Sequence, residues 1–194
     1  MAYYDNVNST LFALVNTDAK SIIEFGCGAG AMARAIKEKS PGIHYVGVEL
    51  IAEELVKAGD VLNISLHRNL DDPAKALGEA ARRLKPGGSA LVCIPNVQHW
   101  SVFQNLVAGK WPREEMGLFD KTHIRWFALG DMVALLQSAG LVVESIVGRD
   151  FPSEQGLSIM EDLEPLARNL GIDPDELIRH GQMLQFVLRG RKPN

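Results

Sequence analysis

The stretch SIIEFGCGAG, residues 21–30, constrains the fold more than any other part of this sequence. It opens with the short apolar run SIIEF (21–25), which is typical of a buried strand in a parallel sheet. Glycine then alternates with other residues, and the strong helix formers AMARAIKEK (31–39) follow. After the stop signal SPG comes a second apolar run, HYVGVEL (44–50). This order predicts a βαβ unit whose right-handed crossover places both strands in one sheet.

The glycine-rich turn of this unit predicts a ligand site. Without side chains at alternate positions, backbone N–H groups can approach a ligand closely, and the following helix presents its positive N-terminal end. Glu49 ends the second strand about 20 residues further on, where a dinucleotide site carries its ribose-binding acid. Gly26, Gly28 and Ala31 also satisfy the GxGxxA variant of that motif. A nucleotide-like cofactor is the prediction, and a tight turn that binds nothing is the alternative.

The rest of the chain continues the alternation of helices and strands. It predicts further helices at 5–15, 72–84 and 128–140, helical sequence in MEDLEPLARNL and DPDELIRHG, and strands at 89–96, 141–148 and 183–191. This alternation indicates an α/β fold with a doubly wound, mostly parallel sheet. The 194 residues favour one domain over 1–194, with an N-terminal helix within 1–20 and a helical insertion at 149–182 before the last strand.

Charge and composition argue against several classes of function. The formal net charge of −4 leaves no basic excess for a phosphate backbone, so nucleic acid is disfavoured as a partner. No apolar run approaches the roughly 20 residues of a membrane helix. The opening MAYYDNVNST lacks the pattern of a signal peptide, so we expect a cytoplasmic protein. Neither the 2 cysteines, Cys27 and Cys93, nor the 5 histidines show metal-ligand spacing, so no metal is predicted.

Three motifs together resemble class I S-adenosylmethionine-dependent methyltransferases. They are EFGCGAG (24–30), with an acid two residues before the glycine loop, LKPGG (84–88) between a helix and a strand, and GLFDKTHIRWF (117–127), which resembles a signature of a bacterial small-molecule branch. The segments YYDNVNSTLFALV and IPNVQHWSVFQNLVAGKW look like the same branch, so the resemblance extends to about residue 148. It implies a Rossmann-like sheet of the seven-stranded type, S-adenosylmethionine as methyl donor and S-adenosylhomocysteine as product.

The resemblance also implies a cofactor site, formed by one loop and the end of the second strand: Glu24, Gly26, Cys27, Gly28, Gly30, Glu49 and Leu50. The loop backbone would hold the amino-acid and ribose portions of the cofactor. Glu24 would orient the loop or, through water, the cofactor's amino group. Glu49 would accept hydrogen bonds from both ribose hydroxyls, a bidentate role suited to a carboxylate. Leu50 would pack against the adenine ring.

One region, residues 51–70, is too short for this resemblance. The family has a helix, a third strand and a fourth strand there, which about 20 residues cannot hold at ordinary element lengths. Either the third strand is lost, or an internal segment near 51–65 is missing from the sequence. We favour the second explanation, because losing a strand would expose sheet edges and apolar helix surface.

Two alignments of that region remain open. DVLNI (60–64) can be the fourth strand, which would place Ser65 to Asn69 over the cofactor. Alternatively AGDVL (58–62) is the end of the fourth strand, which would place Asp60 near the methionyl group.

Two histidines are candidate catalytic residues. Methyl transfer from a sulfonium is an in-line displacement, helped by a general base when the acceptor loses a proton. His99 and His123 both lie in segments expected at the carboxyl ends of strands, where open α/β sheets bind ligands. The alternative for each is a loop histidine held by local hydrogen bonds.

These observations predict S-adenosylmethionine-dependent methyl transfer to an oxygen or nitrogen of a small molecule, such as a sugar or another metabolite. One alternative is an NAD-dependent oxidoreductase on the same βαβ unit, although the chain shows no YxxxK pair and no separate substrate domain. The other is a non-catalytic relative that binds the cofactor or a protein partner. The sequence identifies neither the acceptor nor the oligomeric state.

Overall fold

The computed structural model describes residues 7–49, 51–67, 72–121, 123–151 and 153–194. The helices in these ranges are α1 (Ser9–Leu14), α2 (Ala31–Lys39), α3 (Ala52–Lys57), α4 (Pro73–Arg83), α5 (Trp100–Val107), α6 (Leu129–Ser138), α7 (Glu154–Asp162), α8 (Glu164–Asn169) and α9 (Pro174–Gly181). The strands are β1 (Ser21–Phe25), β2 (His44–Glu49), β3 (Ile64–His67), β4 (Ser89–Pro95), β5 (Val142–Asp150) and β6 (Met183–Arg191). The chain divides into two compact units, residues 1–76 and 77–194.

The first unit contains the predicted βαβ unit, extended by one more helix and strand. Its sheet is parallel, in the order β1-β2-β3, with Ser21 opposite His44 and Val46 opposite Ile64. The buried face of α2 packs on this sheet through residues spaced for one side of a helix, and the resulting core contains Met32, Ala33, Ile36, Ile43 and Tyr45. This packing fixes the glycine-rich turn between β1 and α2 at the carboxyl end of the sheet.

The strand β3 lies beside β2, at the outer edge of the parallel sheet. In the doubly wound order 3-2-1-4-5-6, that place belongs to the third strand. The alignment of DVLNI as a fourth strand is therefore wrong, and so is the idea that the third strand is lost. Among the described residues, β2 is the only strand that pairs with β1.

The second unit contains an antiparallel sheet, which differs from the mostly parallel, seven-stranded sheet predicted. Its order is β4-β6-β5, and β6 runs antiparallel to both neighbours. Phe186, Val187 and Leu188 of β6 are consecutive and buried, so this strand needs a central place with both faces covered. The chain reaches β6 after α7, α8 and α9 and runs back between the other two strands. The six strands of the described ranges thus form one parallel and one antiparallel sheet of three strands each.

Two apolar clusters organise the second unit. The larger one joins helices and sheet and contains Leu77, Ala81, Met132, Leu136, Leu141, Phe186 and Leu188. The smaller one joins Val102 of α5 to Leu118 and Phe119, which lie in the long segment between α5 and α6. Because that segment has little regular structure, its place depends on this second cluster.

Candidate functional site

The glycine-rich turn adopts a backbone that favours glycine. Gly26, Gly28 and Gly30 have φ values of 75°, 49° and 81°, a region that residues with a Cβ rarely enter. The N–H groups of Gly26 and Cys27 both donate to the Val48 carbonyl, at 2.7 and 3.2 Å. These two N–H groups therefore make hydrogen bonds inside the protein, contrary to the expectation that they face a ligand. There is open space beside the turn, because a Cβ on Gly26 would meet no atom within 4 Å.

Glu49 joins the glycine-rich turn to the chain after β2. The residue is only 7% exposed. Its Oε2 accepts the N–H of Gly28 at 2.8 Å, and its Oε1 accepts the N–H of Ile51 at 3.0 Å. The carboxylate therefore holds the turn against the chain that follows β2.

Glu24, the next-to-last residue of β1, shares a face of the sheet with Tyr45 of β2. The phenol of Tyr45 donates a hydrogen bond to Oε2 of Glu24 at 2.9 Å. Burial raises the pKa of Glu24 to about 7, the charge of Glu49 adds to the rise, and the Tyr45 hydrogen bond opposes it. Burial also raises the pKa of Tyr45, so the phenol remains a donor. A carboxyl that titrates near neutral pH therefore lies close to the turn.

Cys27 and Gly47 complete this cluster. A Cβ on Gly47 would lie 2.7 Å from Sγ of Cys27 and 2.6 Å from a methyl carbon of Leu62, so the strand makes room for the thiol by having no side chain there. Burial, with the charges of Glu24 and Glu49, raises the pKa of Cys27 to about 12, so the thiol stays protonated. Neither Tyr45 nor Gly47 is among the site residues predicted from the sequence. The signal for the second was available, because glycine inside a strand marks a close approach.

Other predicted cofactor residues are not part of this cluster. Asp60 lies between α3 and β3, where its carboxylate pairs with Arg34 of α2 at 3.3 Å and its side chain is 73% exposed. The alignment that makes AGDVL the end of a strand is wrong, because these residues follow a helix and precede β3. The predicted contact of Leu50 lies outside the described residues, and so do positions 68 and 69 of the segment from Ser65 to Asn69.

His99, in the second unit, caps the N-terminus of α5. Its Nδ1 accepts the N–H of Ser101 at 3.4 Å and lies 2.8 Å from the hydroxyl of the same residue. Burial lowers the pKa of His99 to about 4, so the ring is neutral at cellular pH. Because Nδ1 accepts a backbone donor, the single ring proton is on Nε2. That nitrogen is buried without a hydrogen-bond partner in the described part of the chain, and it can only donate.

His123 has the opposite arrangement. Its Nδ1 lies 3.2 Å from the carbonyl oxygen of Leu118, and the indole N–H of Trp126 donates to that oxygen at 3.1 Å. A carbonyl accepts and never donates, so Nδ1 of His123 carries a proton, and Nε2 is the ring nitrogen that can accept one. The ring is half-buried. Local hydrogen bonds thus hold His123 in the tautomer that can accept a proton.

An aromatic cluster supports the segment that carries His123. Trp111 packs edge-to-face on Phe119 and on Trp126, with ring centroids 5.4 and 5.0 Å apart. Arg113 donates to the carbonyl of His123 at 3.4 Å. Rigid rings and backbone acceptors, rather than a helix or strand, therefore fix the orientation of this histidine.

The described ranges contain no group of three or more His, Cys, Asp and Glu side chains that could hold a metal ion. Among the helices described, none combines the length and the apolar character that crossing a membrane requires.

Comparison with known proteins identifies the family. A family model described as a methyltransferase domain matches residues 3–146. No curated protein matches the chain significantly. Solved structures do match, among them a SAM-dependent methyltransferase from Methanosarcina mazei (14% identity, TM-score 0.61, 97% of this chain and 99% of that one) and one from Mesorhizobium loti (16%, 0.62, 95% and 96%).

A third similar structure, from Thermotoga maritima, is described as a SAM-dependent methyltransferase and possible histamine N-methyltransferase (21% identity, TM-score 0.61, 95% of this chain and 86% of that one). At such identities the likeness concerns the fold, and it confirms the α/β class. The family match confirms the predicted enzyme class and cofactor. The chain therefore belongs to the methyltransferase domain family and is an S-adenosylmethionine-dependent methyltransferase.

Proposed function

We propose that the protein methylates an oxygen or nitrogen of a small-molecule acceptor, a sugar or another metabolite, in the cytoplasm. The cofactor supplies a methyl group on a positively charged sulfur. The main support for a cofactor site is the pair of carboxylates beside the glycine-rich turn. Glu24 and Glu49 interact electrostatically there, and each is held by a hydrogen bond from a named donor.

This charge arrangement fits S-adenosylmethionine better than a dinucleotide. A pyrophosphate needs free N–H donors, whereas the N–H groups of Gly26, Cys27 and Gly28 are already used. Glu49 suits the ribose of either cofactor, but an ionised Glu24 beside the turn would also repel the negative charge of a pyrophosphate. The same carboxylate attracts a cofactor that carries an ammonium group and a sulfonium. We therefore assign the ammonium to Glu24, the ribose hydroxyls to Glu49, and the open face at Gly26 to the cofactor's contact with the turn.

We assign the general base to His123. Its Nε2 would accept the proton that a hydroxyl or amine of the acceptor loses, while the Leu118 carbonyl keeps Nδ1 protonated. His99 is a weaker candidate for that role, because its Nε2 already carries the proton. If His99 contacts the acceptor, it does so as a donor. The catalytic roles of both histidines remain predictions.

The test of the proposed function is isothermal titration with S-adenosylhomocysteine and with NAD, followed by an acceptor screen that measures S-adenosylhomocysteine release. We expect the homocysteine compound to bind, NAD not to bind, and at least one small hydroxyl or amine compound to be methylated. Binding of NAD alone would support the oxidoreductase. Binding of S-adenosylhomocysteine without turnover on any acceptor would support the non-catalytic relative.

A further inference from the structure

The hydroxyl of Tyr45 is the polar end of an otherwise apolar core residue. The side chain is 1% exposed, and its ring belongs to the core between α2 and the parallel sheet. A phenylalanine would fill the same space. The hydroxyl therefore has a role beyond packing, and the group it contacts is the Glu24 carboxyl, 2.9 Å away.

The strand register explains why Tyr45 reaches Glu24. Tyr45 lies opposite Ile22, and Glu24 lies opposite Gly47, so the phenol reaches diagonally along the shared face of β1 and β2. The titratable groups that act on Glu24 or are acted on by it are Tyr45 and Glu49 of β2 and Cys27 of the turn. Of these, Tyr45 is the one that donates a hydrogen bond to the Glu24 carboxyl.

We propose that Tyr45 is a positioning residue for the cofactor: its hydroxyl fixes the orientation of Glu24 and favours the ionised carboxylate that accepts the cofactor's ammonium group. The inference rests on the proposed contact between Glu24 and the cofactor. Burial raises the pKa of Glu24 to about 7, and the Tyr45 hydrogen bond opposes that rise. Cofactor affinity at cellular pH therefore depends on the phenol.

The experiment measures the dissociation constant of S-adenosylhomocysteine between pH 6 and pH 8.5 for the wild type, Tyr45→Phe and Glu24→Gln. Wild-type affinity should rise as the pH passes through about 7. Without the hydroxyl, ionisation of Glu24 moves to higher pH. Tyr45→Phe should thus bind about 3- to 6-fold more weakly at pH 7 and less than about 2-fold more weakly at pH 8.5. Glu24→Gln should show a flat profile over this range.

Ile43→Val is the matched control, because Ile43 belongs to the same core and is 4% exposed. It removes one methylene without touching Glu24, so its pH profile should superimpose on that of the wild type. A Tyr45→Phe profile that also superimposes on the wild type would overturn the role of Tyr45. A wild type that does not bind S-adenosylhomocysteine would instead contradict the proposed cofactor site, so the two failures are distinguishable.

Discussion

One hydrogen bond at Nδ1 decides what each loop histidine can do. The carbonyl of Leu118 accepts from His123 and leaves Nε2 basic, whereas the N–H of Ser101 donates to His99 and leaves Nε2 protonated. Both nitrogens belong to imidazole rings of the same chemical type. Their different tautomers come from whether the backbone group at Nδ1 is an acceptor or a donor.

The first prediction follows from these tautomers. His123→Ala should lower turnover about 10²–10⁴-fold, the usual range for a lost general base, with the affinity for S-adenosylhomocysteine nearly unchanged. His99→Asn is the control, because asparagine is also a good helix cap and should keep turnover within about 10-fold. Steady-state rates with an acceptor from the screen provide the measurement. Wild-type turnover in His123→Ala would remove this residue from the chemistry.

The second prediction concerns the open face of the turn. Gly26 and Gly109 both have positive φ, 75° and 68°, and a Cβ on either would meet no atom within 4 Å. Gly26→Ala and Gly109→Ala should each cost about 1–2 kcal/mol of stability for the same conformational reason. Only Gly26→Ala should weaken S-adenosylhomocysteine binding, about 5- to 150-fold, because its methyl group occupies the ligand's place. Equal affinities in a titration would mean that the ligand does not lie on Gly26.

At the scale of the element, local sequence signals predicted several segments closely. The strand β1, the helix α2 and the strand β6 begin and end at the predicted residues, because glycine runs, a proline stop or a dense apolar run mark their ends. The direction of β6 could not be predicted in this way. An apolar pattern of period 2 or an unbroken apolar run reads the same in both directions, so direction depends on partners far along the chain.

In the candidate site, too, some residues could be predicted from local sequence and others depend on partners far along the chain. The glycines, Glu24 and Glu49 could be predicted, because the chemistry of the turn imposes their spacing along the sequence. Tyr45 could not be predicted, since its partner Glu24 is 21 positions away and the two meet only through the register of β1 and β2. The tautomers of the two histidines were equally inaccessible, because each depends on a backbone group of a folded loop.

The third prediction tests the packing of α7. A Cβ on Gly156 would lie 2.5 Å from the indole ring of Trp100 in α5, whereas one on Gly130 of α6 would meet no atom within 4 Å. Gly130→Ala should raise stability by about 0.5–1 kcal/mol through helix propensity. Gly156→Ala should lower it by about 1–3 kcal/mol despite the same gain, because the ring must move. Melting temperatures that rise in both variants would show that α7 does not pack against Trp100.

At the scale of the whole molecule, two buried groups give stability opposite dependences on pH. Glu24 has a folded pKa of about 7, above its ordinary 4.5, so its contribution is present below pH 4.5 and is lost as the pH rises through 7. Burial lowers the pKa of His99 from 6.5 to about 4, so its contribution is present above pH 6.5 and is lost as the pH falls through 4. Between pH 4.5 and pH 6.5, a rise in pH therefore reduces the contribution of Glu24 to stability and increases that of His99.

The fourth prediction separates the contributions of Glu24 and His99 to the pH dependence of stability. Calorimetry without ligand between pH 4.5 and pH 6.5 provides the measurement. In Glu24→Gln only the contribution of His99 still varies with pH, so the free energy of unfolding should rise by up to about 1.4 kcal/mol per pH unit. His99→Asn keeps a helix cap, and only the contribution of Glu24 still varies with pH. Its free energy of unfolding should therefore fall as the pH rises. The wild type should be flatter than either variant. Three parallel curves would mean that neither group titrates as its burial requires.

The 2 cysteines of the chain happen to fall one in each compact unit, Cys27 in the first and Cys93 in the second. Cys27 is 5% exposed, and burial holds its pKa near 12, so an alkylating reagent reaches a thiolate there only when the turn opens. Cys93 is half-buried in β4. Alkylation of Cys27, followed by mass spectrometry of the labelled peptide, can therefore measure how often the turn opens without any introduced label, and the half-buried Cys93 of the same chain provides an internal reference for the reagent.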